Sequence, residues 1–179
     1  MVKIGLVAVS FLLIVGCSSK DEQALMQNYE SNKMYYKKLQ KTEKTQLMQN
    51  GVTKVLLTAT YLNNTYANQS IFNHDKNATE DFIIGIYNED KENQILVNHD
   101  FSLTLGGKDA LNMKSIPKGS PLLKDIGFIS EWSKFYLVHF PHMNKKKFKL
   151  IIDSEIYGKG TLEFAKVAKY VFEKQNSIF

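Results

Sequence analysis

Four histidines and a single cysteine are the residues whose chemistry can be tested first against their order in the chain. His139-Phe140-Pro141-His142 sets two imidazoles three positions apart, where Pro141 should break a strand and let both turn to one side. His99-Asp100 and His74-Asp75 offer further ligands. A zinc site needs three or four such groups converging at about 2.0–2.2 Å, and nothing in this spacing compels convergence. His139, His142 and His99 are kept as a candidate ligand set against the competing reading of ordinary surface or core histidines, and no metal or cofactor is expected. One cysteine excludes an intramolecular disulfide and a Cys-based zinc cage. The chain carries no Gly-x-Ser-x-Gly elbow, no P-loop, no His-Glu-x-x-His and no dinucleotide fingerprint. Gly106-Gly107-Lys108-Asp109 reads as a hairpin turn, since a phosphate loop wants a helix N-terminus after it. The chain is therefore read as a non-enzyme.

Three further features bear on binding. Trp132, the only tryptophan, follows a long proline-bounded connection and is expected to be partly exposed, so it is the candidate ligand contact. Lys145-Lys146-Lys147 with Lys149 forms a cationic tip between two strands. It serves either as a solvated turn that discourages edge pairing or as a contact for anionic headgroups. Asp75-Lys76-Asn77-Ala78-Thr79 matches the stricter, acid-containing acceptor pattern of bacterial N-glycosylation, which makes Asn77 the candidate glycosylation site. All 23 basic residues are lysine, so the bidentate arginine that reads bases is missing and no nucleic-acid partner is expected.

The N-terminus says where the chain belongs. Lys3 precedes a twelve-residue apolar run from Ile4 to Val15, broken only by Gly5, Ala8 and Ser10. A helix over Ile4–Gly16 would reach about 20 Å at ~1.5 Å per residue, short of a ~30 Å hydrocarbon core, so the run suits a secretory h-region. Polarity rises at once with Ser18-Ser19-Lys20-Asp21-Glu22. Ile14-Val15-Gly16-Cys17 resembles the bacterial lipobox, an aliphatic pair and a small residue before the cysteine. The resemblance implies a lipoprotein signal peptide at 1–16, a diacylglycerol thioether on Cys17 and a membrane partner reached through that lipid. Ser18, where retained lipoproteins commonly carry Asp, implies an outer-membrane location facing the periplasm.

These residues need elements to hold them. Residues 21–50 lack Gly and Pro and are rich in helix formers, with Leu25, Tyr29, Tyr36, Leu39 and Leu47 near one face. Ser19-Lys20-Asp21-Glu22 fits a capping box and Asn50-Gly51 a helix stop. Residues 17–51 are thus expected to be a lipidated tether and helix, either a spacer or a helix packed on the domain. From Val52 the apolar period becomes two. Strands are expected at Val55–Leu62, Phe82–Tyr87, Ile95–Leu105, Ala110–Ile116, Lys134–Phe140, Phe148–Asp153 and Thr161–Phe172, with Gly106-Gly107 as a hairpin. Seven short strands without helices between them give a mainly β fold: an antiparallel, immunoglobulin-like β-sandwich over 52–172, preceded by the α-helix and followed by a tail at 173–179. The layout resembles small periplasmic lipoproteins with a variant immunoglobulin fold, which implies no active site. The function expected is a non-enzymatic binding or interaction module whose partner is an envelope protein or glycan. The competing readings are a structural accessory subunit of an outer-membrane assembly and a hydrolase or metal-binding envelope protein.

Overall fold

The computed structural model describes residues 20–62, 79–89 and 101–166. Cys17, Asn77, His74 and His99 lie outside the described residues, as do residues 1–16, where a signal peptide is expected, and the expected tail 173–179. A first unit ends at Lys33 and carries helix α1 (Lys20–Ser31). Its last turn is closed by local polar bonds. The Asn32 side chain reaches back to Asn28 Oδ1 at 2.8 Å, and Ser31 Oγ donates to Asn28 O at 2.9 Å. Such side-chain bonds compete with the helical ladder, and the continuous helix expected over 21–50 is interrupted here.

The second unit begins at Met34. Helix α2 (Lys33–Leu39) is short, and Thr42 Oγ1 caps its end by donating to Lys38 O at 2.8 Å. The chain then turns directly into strand β1 (Thr42–Gln49) and, through Asn50-Gly51, into β2 (Val52–Tyr61). The helix expected to run to Asn50 is therefore corrected: 42–49 is a strand paired along its length with β2, from Thr42 opposite Thr60 to Gln49 opposite Val52. Asn50 and Gly51 both have positive φ, 53° and 79°. Two left-handed residues in a two-residue loop make the turn whose twist matches a hairpin, whereas a helix stop needs only one. The folded domain consequently starts some eighteen residues before the boundary expected at Val52.

The remaining strands are β3 (Thr79–Asn88), β4 (Ser102–Leu105), β5 (Lys108–Asp109), β6 (Asn112–Ile116), β7 (Lys134–Pro141), β8 (Lys147–Ser154) and β9 (Gly158–Ala165). They form two antiparallel sheets, β1-β2-β3-β7-β6 and β5-β4-β8-β9. This is the antiparallel sandwich that the alternation predicted. Pro141 does not break β7; it is the strand's last residue, opposite Thr79. Alternate side chains fill the space between the sheets. Leu57, Tyr61, Phe82, Ile84, Ile86, Val138 and Phe140 meet Leu105, Phe148, Leu150, Ile152, Leu162 and Phe164. The rings of Tyr61, Phe82, Phe140, Phe148 and Phe164 pack mostly edge-to-face at 5.1–6.4 Å between centroids, a geometry that opposes positive ring edges to negative faces.

Two seams join the sheets. At one, β5 bends through Ala110 and Leu111 into β6, and Leu111 N donates to His139 O at 2.8 Å, so one stretch of chain serves both sheets. At the other, β1 lies against β9: a Cβ on Gly160 would stand 2.9 Å from Thr45 Cγ2 and 3.0 Å from Leu47 Cδ2. The outer face of the five-stranded sheet has its own apolar layer. Leu62, Ile83, Ile116, Phe135 and Leu137 are covered by Ile126, with Leu122 and Leu123 packed alongside. That cover is the long 117–133 connection, which the buried Lys38 pins by donating to Lys124 O at 2.6 Å. Burial pushes the Lys38 ammonium below the ordinary lysine range, nearby Asp125 opposing the shift and Lys124 adding to it.

Candidate functional site

Beside the covered part of that outer face the sheet is bare. Antiparallel register places two rows of side chains side by side there: Lys44, Thr58 and Gly85 in one, Gln46, Leu56 and Tyr87 in the next. Directly opposed residues share a face, so these six form a floor and one wall. The opposite wall comes from the 117–133 connection and the first residues after it, with Phe128, Ser130, Trp132 and Ser133. Together they enclose an open groove of about 690 Å³, within the range of small-molecule sites.

Each wall has a local cause. Gly85 must be glycine: a Cβ would sit 2.7 Å from Phe135 Cε1 and 2.8 Å from Thr58 Oγ1. The Phe135 ring therefore lies over the bare backbone and the floor stays low. Phe128 holds φ at +61°, and Asp125 in the same loop holds +60°. Left-handed backbone is an outlier for a bulky aromatic residue, and such strain clusters where a side chain is held for a purpose. The Phe128 ring meets Lys44, whose Nζ stands 4.1 Å from its centroid, close enough for a cation–π attraction. Trp132 is presented by a turn in which Trp132 N donates to Ser130 Oγ at 3.2 Å and Ser133 N to Ser130 O at 3.3 Å. Lys118 Nζ donates to Glu131 O on the same turn. Trp132 is 75% exposed, as its place after the proline-bounded connection predicted.

The two described histidines, His139 and His142, lie elsewhere, where β3 begins and β7 ends, and they part company. Glu80 and Asp81 are adjacent in β3 and so point to opposite faces. His139 sits opposite Asp81, Nδ1 to Oδ1 at 2.8 Å, on the outer face. His142 places Nδ1 3.2 Å from Oε1 of Glu80. Among the described residues no group of three or more His, Cys, Asp or Glu is placed to hold a metal ion. His139 is bonded to Asp81, whereas His142 Nδ1 lies near Glu80 without a hydrogen bond to it.

Glu80 is the residue the sequence reading missed. It is fully buried at the end of the aromatic core. Its Oε1 accepts from Met143 N at 2.9 Å and from Lys166 Nζ at 2.7 Å, and its Oε2 accepts from Tyr61 Oη at 2.5 Å. Burial, and then the bond to Glu80, raise the Tyr61 phenol well above the ordinary tyrosine range, because both disfavour a second negative charge there. The available signal was an acidic pair opening an otherwise apolar strand, Glu80-Asp81-Phe82-Ile83-Ile84. In the cationic tip, Lys145, Lys146 and Lys147 are exposed, while Lys149 pairs with Glu163 across β8 and β9 at 3.0 Å.

No family model, no curated protein and no solved structure matches this chain. Among the described residues no helix is long and apolar enough to cross a membrane.

Proposed function

We propose that the chain is a membrane-anchored lipoprotein of the bacterial cell envelope, whose β-sandwich is a non-enzymatic binding module that meets its partner in the groove. The observation that carries this reading is the groove itself. It gathers three aromatic rings, hydroxyls and one lysine on a rigid sheet, with one wall made by a long connection. Apart from one 3-10 turn at Pro121–Leu123 this connection is irregular, and long irregular connections are characteristically functional. Among the described residues its lining has a lysine but no histidine, carboxylate or thiol, so it is furnished to bind rather than to transfer protons or form acyl intermediates. At the other end of β3, Asp81 is bonded to His139 and Glu80 to Tyr61, Met143 N and Lys166, which suits a structural clasp. The lipobox supplies the anchor through Cys17, and Ser18 after it points to the outer membrane, facing the periplasm, as the location.

Two measurements test this. Labelled palmitate should enter the protein in cells and fail to enter Cys17→Ser, which should also leave the membrane fraction. A photo-reactive phenylalanine analogue placed at Trp132 should form adducts in intact cells, while the same analogue at exposed Thr161, on β9 of the other sheet, should not. Equal adduct yields at the two positions would remove the groove as the binding surface.

A further inference from the structure

We propose that the groove takes an acidic saccharide, a sugar ring that carries a carboxylate. This rests on reading the groove as the binding surface, and it names the ligand's chemistry. The floor belongs to β1, β2 and β3, whose backbones are paired with one another in continuous ladders. An extended peptide gains its affinity by adding to an unpaired strand edge; β2 and β3 are paired on both sides, and the outer edge of β1 lies against β9, away from the groove. Recognition must come from side chains.

Those side chains are of three kinds. Tyr87, Phe128 and Trp132 present flat rings. Thr58, Ser130 and Ser133 supply hydroxyls and Gln46 an amide, all able to donate and accept. An acyl chain would match the rings but bury the hydroxyls against hydrocarbon, which is costly without replacement bonds. A sugar ring matches both, with its C–H face on an aromatic ring and its hydroxyl rim toward Thr58, Ser130, Ser133 and Gln46. The third kind is charge, and Lys44 is the one charged residue among the described lining residues. Its ammonium is held over the Phe128 ring on the groove side of β1, with no acid among those described lining residues to neutralise it. A carboxylate on the sugar would supply that counter-charge through a charge-assisted bond, roughly twice as strong as a neutral one.

The test uses the full chain in detergent micelles and two probes, N-acetylmuramic acid and N-acetylglucosamine, which differ by the lactyl ether that carries the carboxylate. Trp132 is the only indole and is exposed, so its emission should shift to the blue as a ring stacks on it; calorimetry gives the affinities independently. The acidic probe should bind at least about tenfold more tightly than the neutral one, a difference of ~1.4 kcal/mol. Added salt should shrink that preference. Lys44→Met, which keeps the stem over Phe128, should bring the acidic probe to the affinity of the neutral one, and Trp132→Ala should weaken both. Equal affinities for the two probes in the unaltered protein, or a preference that survives Lys44→Met, would overturn the assignment. So would binding of neither probe. If adducts still formed in cells at position 132, the groove would stand as a binding surface for something other than an acidic saccharide.

Discussion

Glu80 draws three distant stretches of chain to one carboxylate: the end of β2 through Tyr61, the β7–β8 connection through Met143 N, and the segment after β9 through Lys166. Removing one partner of a buried charged pair strands the rest, at a cost of about 3–5 kcal/mol. Glu80→Ala should therefore lower the urea midpoint by that equivalent, and Glu80→Gln by less, since the amide keeps the shape and can still accept. Tyr61 adds a dependence on pH. Its phenol holds its proton more tightly folded than unfolded, so its contribution is complete below the unfolded value near 10 and is lost as pH climbs toward the folded one. The difference in stability between the unaltered protein and Tyr61→Phe should be constant at neutral pH. Above about pH 10 it should shrink by up to ~1.4 kcal/mol per pH unit. Burial depresses Lys38 and Lys41 instead, a contribution of opposite sign that cancels in this difference. None of this was legible from residue type alone. Glu80-Asp81 reads as a polar turn until the sheet shows that one carboxylate faces in and the other out.

At the scale of elements, alternation was enough wherever one face is apolar. β2, β3, β7 and β8 were readable because Val55-Leu57-Ala59-Tyr61 or Phe148-Leu150-Ile152 repeat at two. β1 was not, since Thr42-Glu43-Lys44-Thr45-Gln46-Leu47-Met48-Gln49 buries only Leu47 and its lysine and glutamines are good helix formers. Losing β1 also hid the strand that brings Lys44, Thr45 and Gln46 to the groove. Trp132 could be singled out, but Lys44 and Gln46 could not be placed opposite it. The Asn50-Gly51 turn that defines β1 can be tested directly. Gly51→Ala forces a side chain into a left-handed residue and should cost about 1 kcal/mol in denaturant unfolding. Gly85→Ala should be worse, because its Cβ meets the Phe135 ring, and overpacking of this kind costs about 1–3 kcal/mol. It should also raise the groove floor and weaken any ligand that stacks there.

For the molecule as a whole, the boundary at Met34 rather than Val52 has a practical meaning. A chain begun at Val52 lacks the strand that pairs with β2 and the Leu47 side chain that enters the core. It should fail to give a cooperative melt, whereas a chain begun at Met34 should give one, read by circular dichroism. The bend at Ala110–Leu111 and the apposition of β1 with β9 also leave little open sheet edge to recruit neighbours.

That apposition of β1 and β9 sets a schedule as well. Thr45 and Leu47 meet Gly160, so the earliest strand of the domain waits for the last. The β1–β2 hairpin can pair as it emerges, but the seam between β1 and β9 cannot close until β9 has left the ribosome, and closing so long a loop is slow. Under the proposed export, such a delay would leave the domain open when it reaches the translocation machinery.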